Sequence, residues 1–130
     1  MSAAYVDSSF AVAIVLGEPR ARNLVRIVER FDEIVASDLL LAEVLSAAAR
    51  EGVPLEAVLE ALEDLSLVLP DRTLRAEIQE ILALGRLRGA DLWHLACAMF
   101  VAGEARSEVS FLSRDEPQRR LARRLGFPSP

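Results

Sequence analysis

Short apolar runs alternate along this chain with longer stretches in which apolar residues recur every three or four positions. The runs have the length of strands and the stretches have the period of helices. Residues 3–6 read as a short buried strand. Ser8 or Ser9 is placed to cap the helix that follows, and Gly17 and Pro19 punctuate its end. Ala21, Leu24, Val25, Val28 and Phe31 then share one face of a helix over 19–31. A second strand covers 34–36, with Ser37 as N-cap and Asp38 in the first turn of a helix running to about Arg50. Gly52 and Pro54 stop that helix, and another covers 55–64. Residues 67–69 read as a strand ended by Pro70, followed by a helix over 71–84 that Gly85 and Gly89 break. The helix over 91–103 is apolar on most sides and so belongs at the centre. Residues 109–112 form a strand, and 118–125 an arginine-rich helix stopped by Gly126. Residues 127–130 read either as an edge strand or as a frayed end. Strands alternating with helices predict an α/β domain with a mainly parallel sheet and helices on both faces.

Length and composition narrow the class. The 130 residues suit one domain, 1–130, and 52% apolar content supplies a sizeable core with few aromatics. No apolar run reaches the roughly 18 residues of a membrane span. The N-terminus lacks the pattern of a signal peptide. The expectation is a cytoplasmic protein without a membrane partner. The single cysteine, Cys97, excludes a disulfide framework and a multi-cysteine zinc site, and its apolar neighbours mark it as a core residue. All 15 basic residues are arginine. Without lysine, the usual P-loop and Schiff-base chemistries are excluded. The net charge of -5 argues against a nucleic-acid partner, yet the arginines gather towards the C-terminal end. They form either a solvated helix face or a phosphate-contacting edge.

Against this background, four carboxylates stand at apolar addresses. Asp7 closes the first strand, and Glu43 interrupts the apolar face of Leu39, Leu40 and Ala47. Asp91 opens the central helix, and Asp115 follows the last strand. A carboxylate at such a place is costly unless a cation or hydrogen bonds offset it. In a parallel α/β sheet, sites lie outside the carboxyl ends of the strands, where Asp7 and Asp115 fall. Brought together, the four would offer an oxygen-rich site for a hard divalent cation. Each also has a plainer role. Asp7, Asp91 and Asp115 can cap helices, and Asp115 with Gln118 fits a capping box. Glu116 competes with Asp115 as the fourth acid. His94, one turn after Asp91, reads as a structural neighbour of the site rather than a ligand, and Trp93 as packing.

Taken in order, four segments carry a resemblance. They are Tyr5-Val6-Asp7-Ser8-Ser9, Leu41-Ala42-Glu43-Val44, the stretch 89–98 around Asp91 and His94, and Phe111-Leu112-Ser113-Arg114-Asp115 with Leu121-Ala122 and Leu125-Gly126. The chain resembles a PIN-domain ribonuclease, specifically the VapC-type toxins of toxin–antitoxin modules, over nearly its whole length. The resemblance implies a three-layer α/β/α fold around a mainly parallel sheet of four to five strands. It implies Mg²⁺ or Mn²⁺ held by Asp7, Glu43, Asp91 and Asp115, with Ser9 and Ser113 in support. It further implies endonucleolytic cleavage of RNA, a small antitoxin partner and, with the high apolar content, a homodimer. Arg114 is the nearest candidate to hold the phosphate backbone. Pro117 predicts a late start for the last helix.

Two rival functions remain open from the residues alone. A non-catalytic PIN-like or flavodoxin-like interaction module would keep the same core. A phosphotransfer domain would use Asp7 as nucleophile, but it commonly wants a second aspartate two residues on, where this chain has Ser9, and a lysine.

Overall fold

The computed structural model describes residues 2–130. Four strands form one sheet: β1 (Ala3–Val6), β2 (Glu33–Ser37), β3 (Ser66–Val68) and β4 (Val109–Leu112). The order across the sheet is β3-β2-β1-β4, and every neighbouring pair is parallel. Seven helices connect them: α1 (Ser8–Val15), α2 (Ala21–Val28), α3 (Leu39–Arg50), α4 (Leu55–Ala61), α5 (Arg75–Leu84), α6 (Gly89–Ala102) and α7 (Glu116–Arg124).

Successive strand residues point to opposite faces, so each strand feeds two cores. Ala4 and Val6 of β1, Ala36 of β2 and Leu112 of β4 pack with Phe10, Leu40, Val44 and Val58, under α1 to α4. Tyr5, Val35 and Phe111 pack the other way, against Leu95, Met99, Ile81 and Leu121 of α5, α6 and α7. The result is the three-layer α/β/α arrangement with both sheet faces covered, as parallel sheets require. Cys97 is fully buried in the second core, where burial pushes its thiol up to about 12, out of reach of ordinary thiolate chemistry.

Several boundaries differ from those read off the sequence. Helix α2 starts at Ala21 because Arg20 takes a left-handed backbone, with φ 74°, after Pro19. Helix α5 starts at Arg75, four residues late. Its preceding loop stays irregular so that Arg72 can lie over Phe100, 5.2 Å from the ring centre, and pair with Glu77. Helix α7 starts at Glu116 despite Pro117, since a proline in the first turn forfeits no helical hydrogen bond. Residues 127–130 are neither a strand nor frayed. Phe111 N donates to Pro128 O at 2.7 Å, Ser129 Oγ donates to Phe111 O at 2.9 Å, and Phe127 is buried near Phe111. This segment covers the outer edge of β4, where open strand edges invite unwanted pairing.

Strand order reverses beside β1: the chain first builds outward through β2 and β3, then crosses back to place β4 on β1's other side. The crevice at the carboxyl ends of β1 and β4 is therefore the expected site.

Candidate active site

Each of the four carboxylates reaches that crevice from a different element. Asp7 follows β1 and caps α1, its Oδ2 accepting from Ser9 N at 3.0 Å. Asp7 itself, rather than Ser8 or Ser9, provides the cap, because its backbone N still continues the sheet by donating to Leu112 O at 2.9 Å. Glu43 comes from α3, Asp91 from the first turn of α6, and Asp115 from the N-cap of α7. Asp7, Glu43 and Asp91 line one open cleft of about 560 Å³. Asp91 and Asp115 line a second, of about 320 Å³. Asp91 thus stands where the two meet.

Burial raises the Asp91 carboxyl above its usual range, and the charges of Asp7, Asp115 and Glu43 add to that in turn. Among the described residues, the only basic side chain pairing with any of the four is His94. Its Nε2 lies 2.6 Å from Glu43 Oε1 and 4.0 Å from Asp7 Oδ1. On its other side, Tyr5 Oη accepts from Ser37 N at 3.1 Å and lies 3.1 Å from His94 Nδ1, so the ring bridges Tyr5 and Glu43. Ser8 Oγ donates to the same Glu43 oxygen at 2.9 Å. His94 is fully buried and holds Glu43 from behind, as a structural neighbour.

The other side of the site is organised by a residue that the sequence marks only as a capping glutamine. Gln118 is fully buried on α7. Its amide does not reach back to the cap, as a capping box would have it; it turns inward. Nε2 donates to Asp7 Oδ1 at 3.2 Å and to Asp91 O at 3.0 Å, while Oε1 accepts from Ser113 Oγ at 2.6 Å. Its backbone N donates to Asp115 Oδ2 at 2.9 Å. One residue thereby touches three of the four acidic residues. The available signal was position: Gln118 shares a helical face with Leu121, Ala122 and Leu125, a polar group on an apolar stripe.

Ser113 and Ser9 close the network. Ser113 Oγ accepts from Asp115 N at 3.0 Å, and Ser9 Oγ accepts from Arg114 N at 3.0 Å, tying the start of α1 to the end of β4. The Arg114 side chain points elsewhere, pairing with Glu18 at 2.7 Å in a separate cavity shared with Arg20 and Arg119. Glu116 is exposed and pairs with Arg119 and Arg123, so of the two neighbours it is Asp115 that faces the cleft.

Whether these groups suit a divalent cation can be judged from their chemistry. All are hard oxygen donors with little compensating charge among them. Among the described residues no three stand close enough together to hold a metal by themselves. Mg²⁺ does not ask for that: it keeps several waters and commonly binds one or two carboxylates plus substrate phosphate. An open acidic cleft fits such a cation.

Residues 4–124 match the family model of the PIN domain. No curated protein matches the chain.

Proposed function

The chain belongs to the PIN domain family, and from that premise we propose that it is a metal-dependent endoribonuclease, the cytoplasmic toxin of a VapBC-type toxin–antitoxin pair, folded as one domain. PIN domains are typically nucleases, generally dependent on divalent metals. The observation that carries the reading is that Asp7, Glu43, Asp91 and Asp115 come from four elements to two adjoining clefts that share Asp91, whose carboxyl is raised by burial first and by the charges of the other three second.

In this reading the four carboxylates would hold Mg²⁺ or Mn²⁺. The cation supplies Lewis acidity towards the scissile phosphodiester and makes nearby water more acidic. The chain's own residues do the rest. Buried Asp7 is fixed by Ser9 N and Gln118 Nε2, so its carboxylate is oriented before substrate arrives. Glu43 is held by His94 and Ser8. Ser9 and Ser113 lock the two strand ends that carry Asp7 and Asp115. Such preorganisation is what lets a site act without rearranging during the reaction.

The test is RNA cleavage by purified Asp7→Asn and Glu43→Gln variants in Mg²⁺. Changing an outer neighbour of a metal commonly costs about 10- to 100-fold, so loss of the carboxylate charge should cost at least about 100-fold. Unchanged cleavage by either variant would sink the assignment. The rival, a non-catalytic interaction module, draws on the absence of a three-ligand cage among the described residues. It requires that neither the wild type nor any variant respond to divalent metal.

A toxin needs a restraining partner. The exposed Leu55 and Leu59 of α4, and an apolar groove of about 200 Å³ where Val15, Val25, Val28 and Leu62 meet, suit an apolar segment of an antitoxin or a second copy of the chain.

A further inference from the structure

We propose that the substrate strand leaves the acidic crevice along an arginine-lined groove, where Arg86, Arg88 and Arg120 grip its phosphodiester backbone without reading its bases; this rests on the nuclease reading above. The groove is a chain of three adjoining cavities. The first cleft shares Asp91 with the second, and the second shares Arg86 and Pro117 with a third cavity of about 230 Å³. Arg86 and Arg88 flank Leu87 in the segment between α5 and α6, next to Asp91 and Asp115. Arg120 stands on α7 at the far end.

Charge changes sign along this path. The first cleft sets Asp7, Glu43 and Asp91 against the single Arg50, and everything charged that lines the third cavity is arginine. Neighbouring arginines of α7 are already engaged: Arg119 and Arg123 share the Glu116 carboxylate. Among the described residues, Arg86, Arg88 and Arg120 make no ion pair, and all three are exposed. Arg124 serves the scaffold instead, donating to Leu84 O at 2.8 Å and so fastening α7 to the end of α5. Unpaired guanidinium groups lining the cavities beside the acidic crevice suit a nucleic-acid backbone, since each can take a phosphate oxygen.

The remaining lining decides what is read. Leu84, Gly85, Leu87, Pro117 and Leu121 offer no aromatic ring to stack a base and no amide to bond its edge. Trp93, the one indole, packs against the core under α5 to α7. Buried Asp7 lies at the floor of the crevice, 1% exposed. A flexible single strand can bend a phosphate towards it, whereas a stiff duplex cannot. The groove therefore takes single-stranded RNA by its backbone, and any choice of sequence is made elsewhere.

The experiment is salt-dependent binding of labelled oligouridylate and oligoadenylate, in a Glu43→Gln background so that the strand survives. It compares the Arg86→Ala/Arg88→Ala/Arg120→Ala variant with a charge-matched control, Arg22→Ala/Arg26→Ala/Arg30→Ala, on and just beyond α2. Single strands lose about 0.7 of log–log salt slope per phosphate contact, so three lost contacts should lower the slope by about 2. Both oligonucleotides should weaken by the same factor, and the control should keep the parent slope. Equal slopes in the two triple variants, a loss confined to one sequence, or no RNA binding by the parent would each overturn the proposal. Failure of the nuclease reading shows separately, as undiminished cleavage by Glu43→Gln alone.

Discussion

A buried amide and a buried imidazole do most to orient the acids here. Gln118 uses both of its N–H donors and its carbonyl, and the orientation of the amide is forced: a flip would set its oxygen against Asp7 and the Asp91 carbonyl. Replacing it by leucine keeps the volume and removes every one of these bonds. Leaving Asp7 Oδ1 and the Ser113 hydroxyl short of a partner should cost about 1–3 kcal/mol in denaturant unfolding. It should also weaken Mn²⁺ binding in a direct titration, which a purely structural role would leave alone. Unaltered Mn²⁺ affinity in a folded Gln118→Leu protein would show that the amide only packs. The comparison with Glu43 explains why one was legible and the other was not. Both put a polar group on an apolar helical face. Glu43 has no competing local role in mid-helix, so the anomaly stands out. Gln118 sits three residues after an aspartate, where a capping box accounts for it. Arg114 is a different case: its neighbour in sequence faces the cleft, while its own side chain pairs with Glu18, a partner distant along the chain.

At the level of elements, period and punctuation located all four strands and seven helices, with errors at the ends. Those errors share a cause. Residues 71–74 and the 127–130 segment are placed by tertiary partners, Phe100 for the first and Phe111 for the second. No local signal carries that information. The C-terminal segment gives a direct test. Phe127 is 2% exposed and packs beside Phe111, which itself stacks on Tyr5. Truncation to alanine should cost about 3 kcal/mol, read as a lowered midpoint of chemical unfolding with an unchanged slope. A cost within about 0.5 kcal/mol, the range of ordinary surface changes, would mean that the segment is not docked in solution.

For the whole molecule, the alternation of strands and helices made the parallel sheet legible, and the sheet made the crevice legible, because such folds leave one open place where strand order turns back. The sequence could not say how closely the carboxylates approach. That depends on side-chain partners such as His94 and Gln118, which come from other layers. Surface character is likewise a property of the assembled chain. Helix α2 buries no residue fully, and the apolar groove between it and α4 lies on the opposite core from α5, α6 and α7. If that groove receives the antitoxin, co-expression with a cognate partner should yield an assembly whose mass, by light scattering, includes both chains. A charged substitution, Val25→Glu, should then release the partner while RNA cleavage by the freed chain persists. Retention of the partner would place the interface elsewhere.

The central position of β1 has a consequence for how the protein comes into being. Its neighbours are β2, made soon after it, and β4, made after all the other strands. Pairings between such distant segments form late, after the cost of closing a long loop has been met. During synthesis, Asp7, Glu43 and Asp91 emerge well before the strand that fixes one wall of their crevice and before Gln118, which orients two of them. The crevice therefore stays incomplete until β4 and α7 have both emerged and docked. The order of the strands thus sets the assembly of the site behind the synthesis of its first three acids.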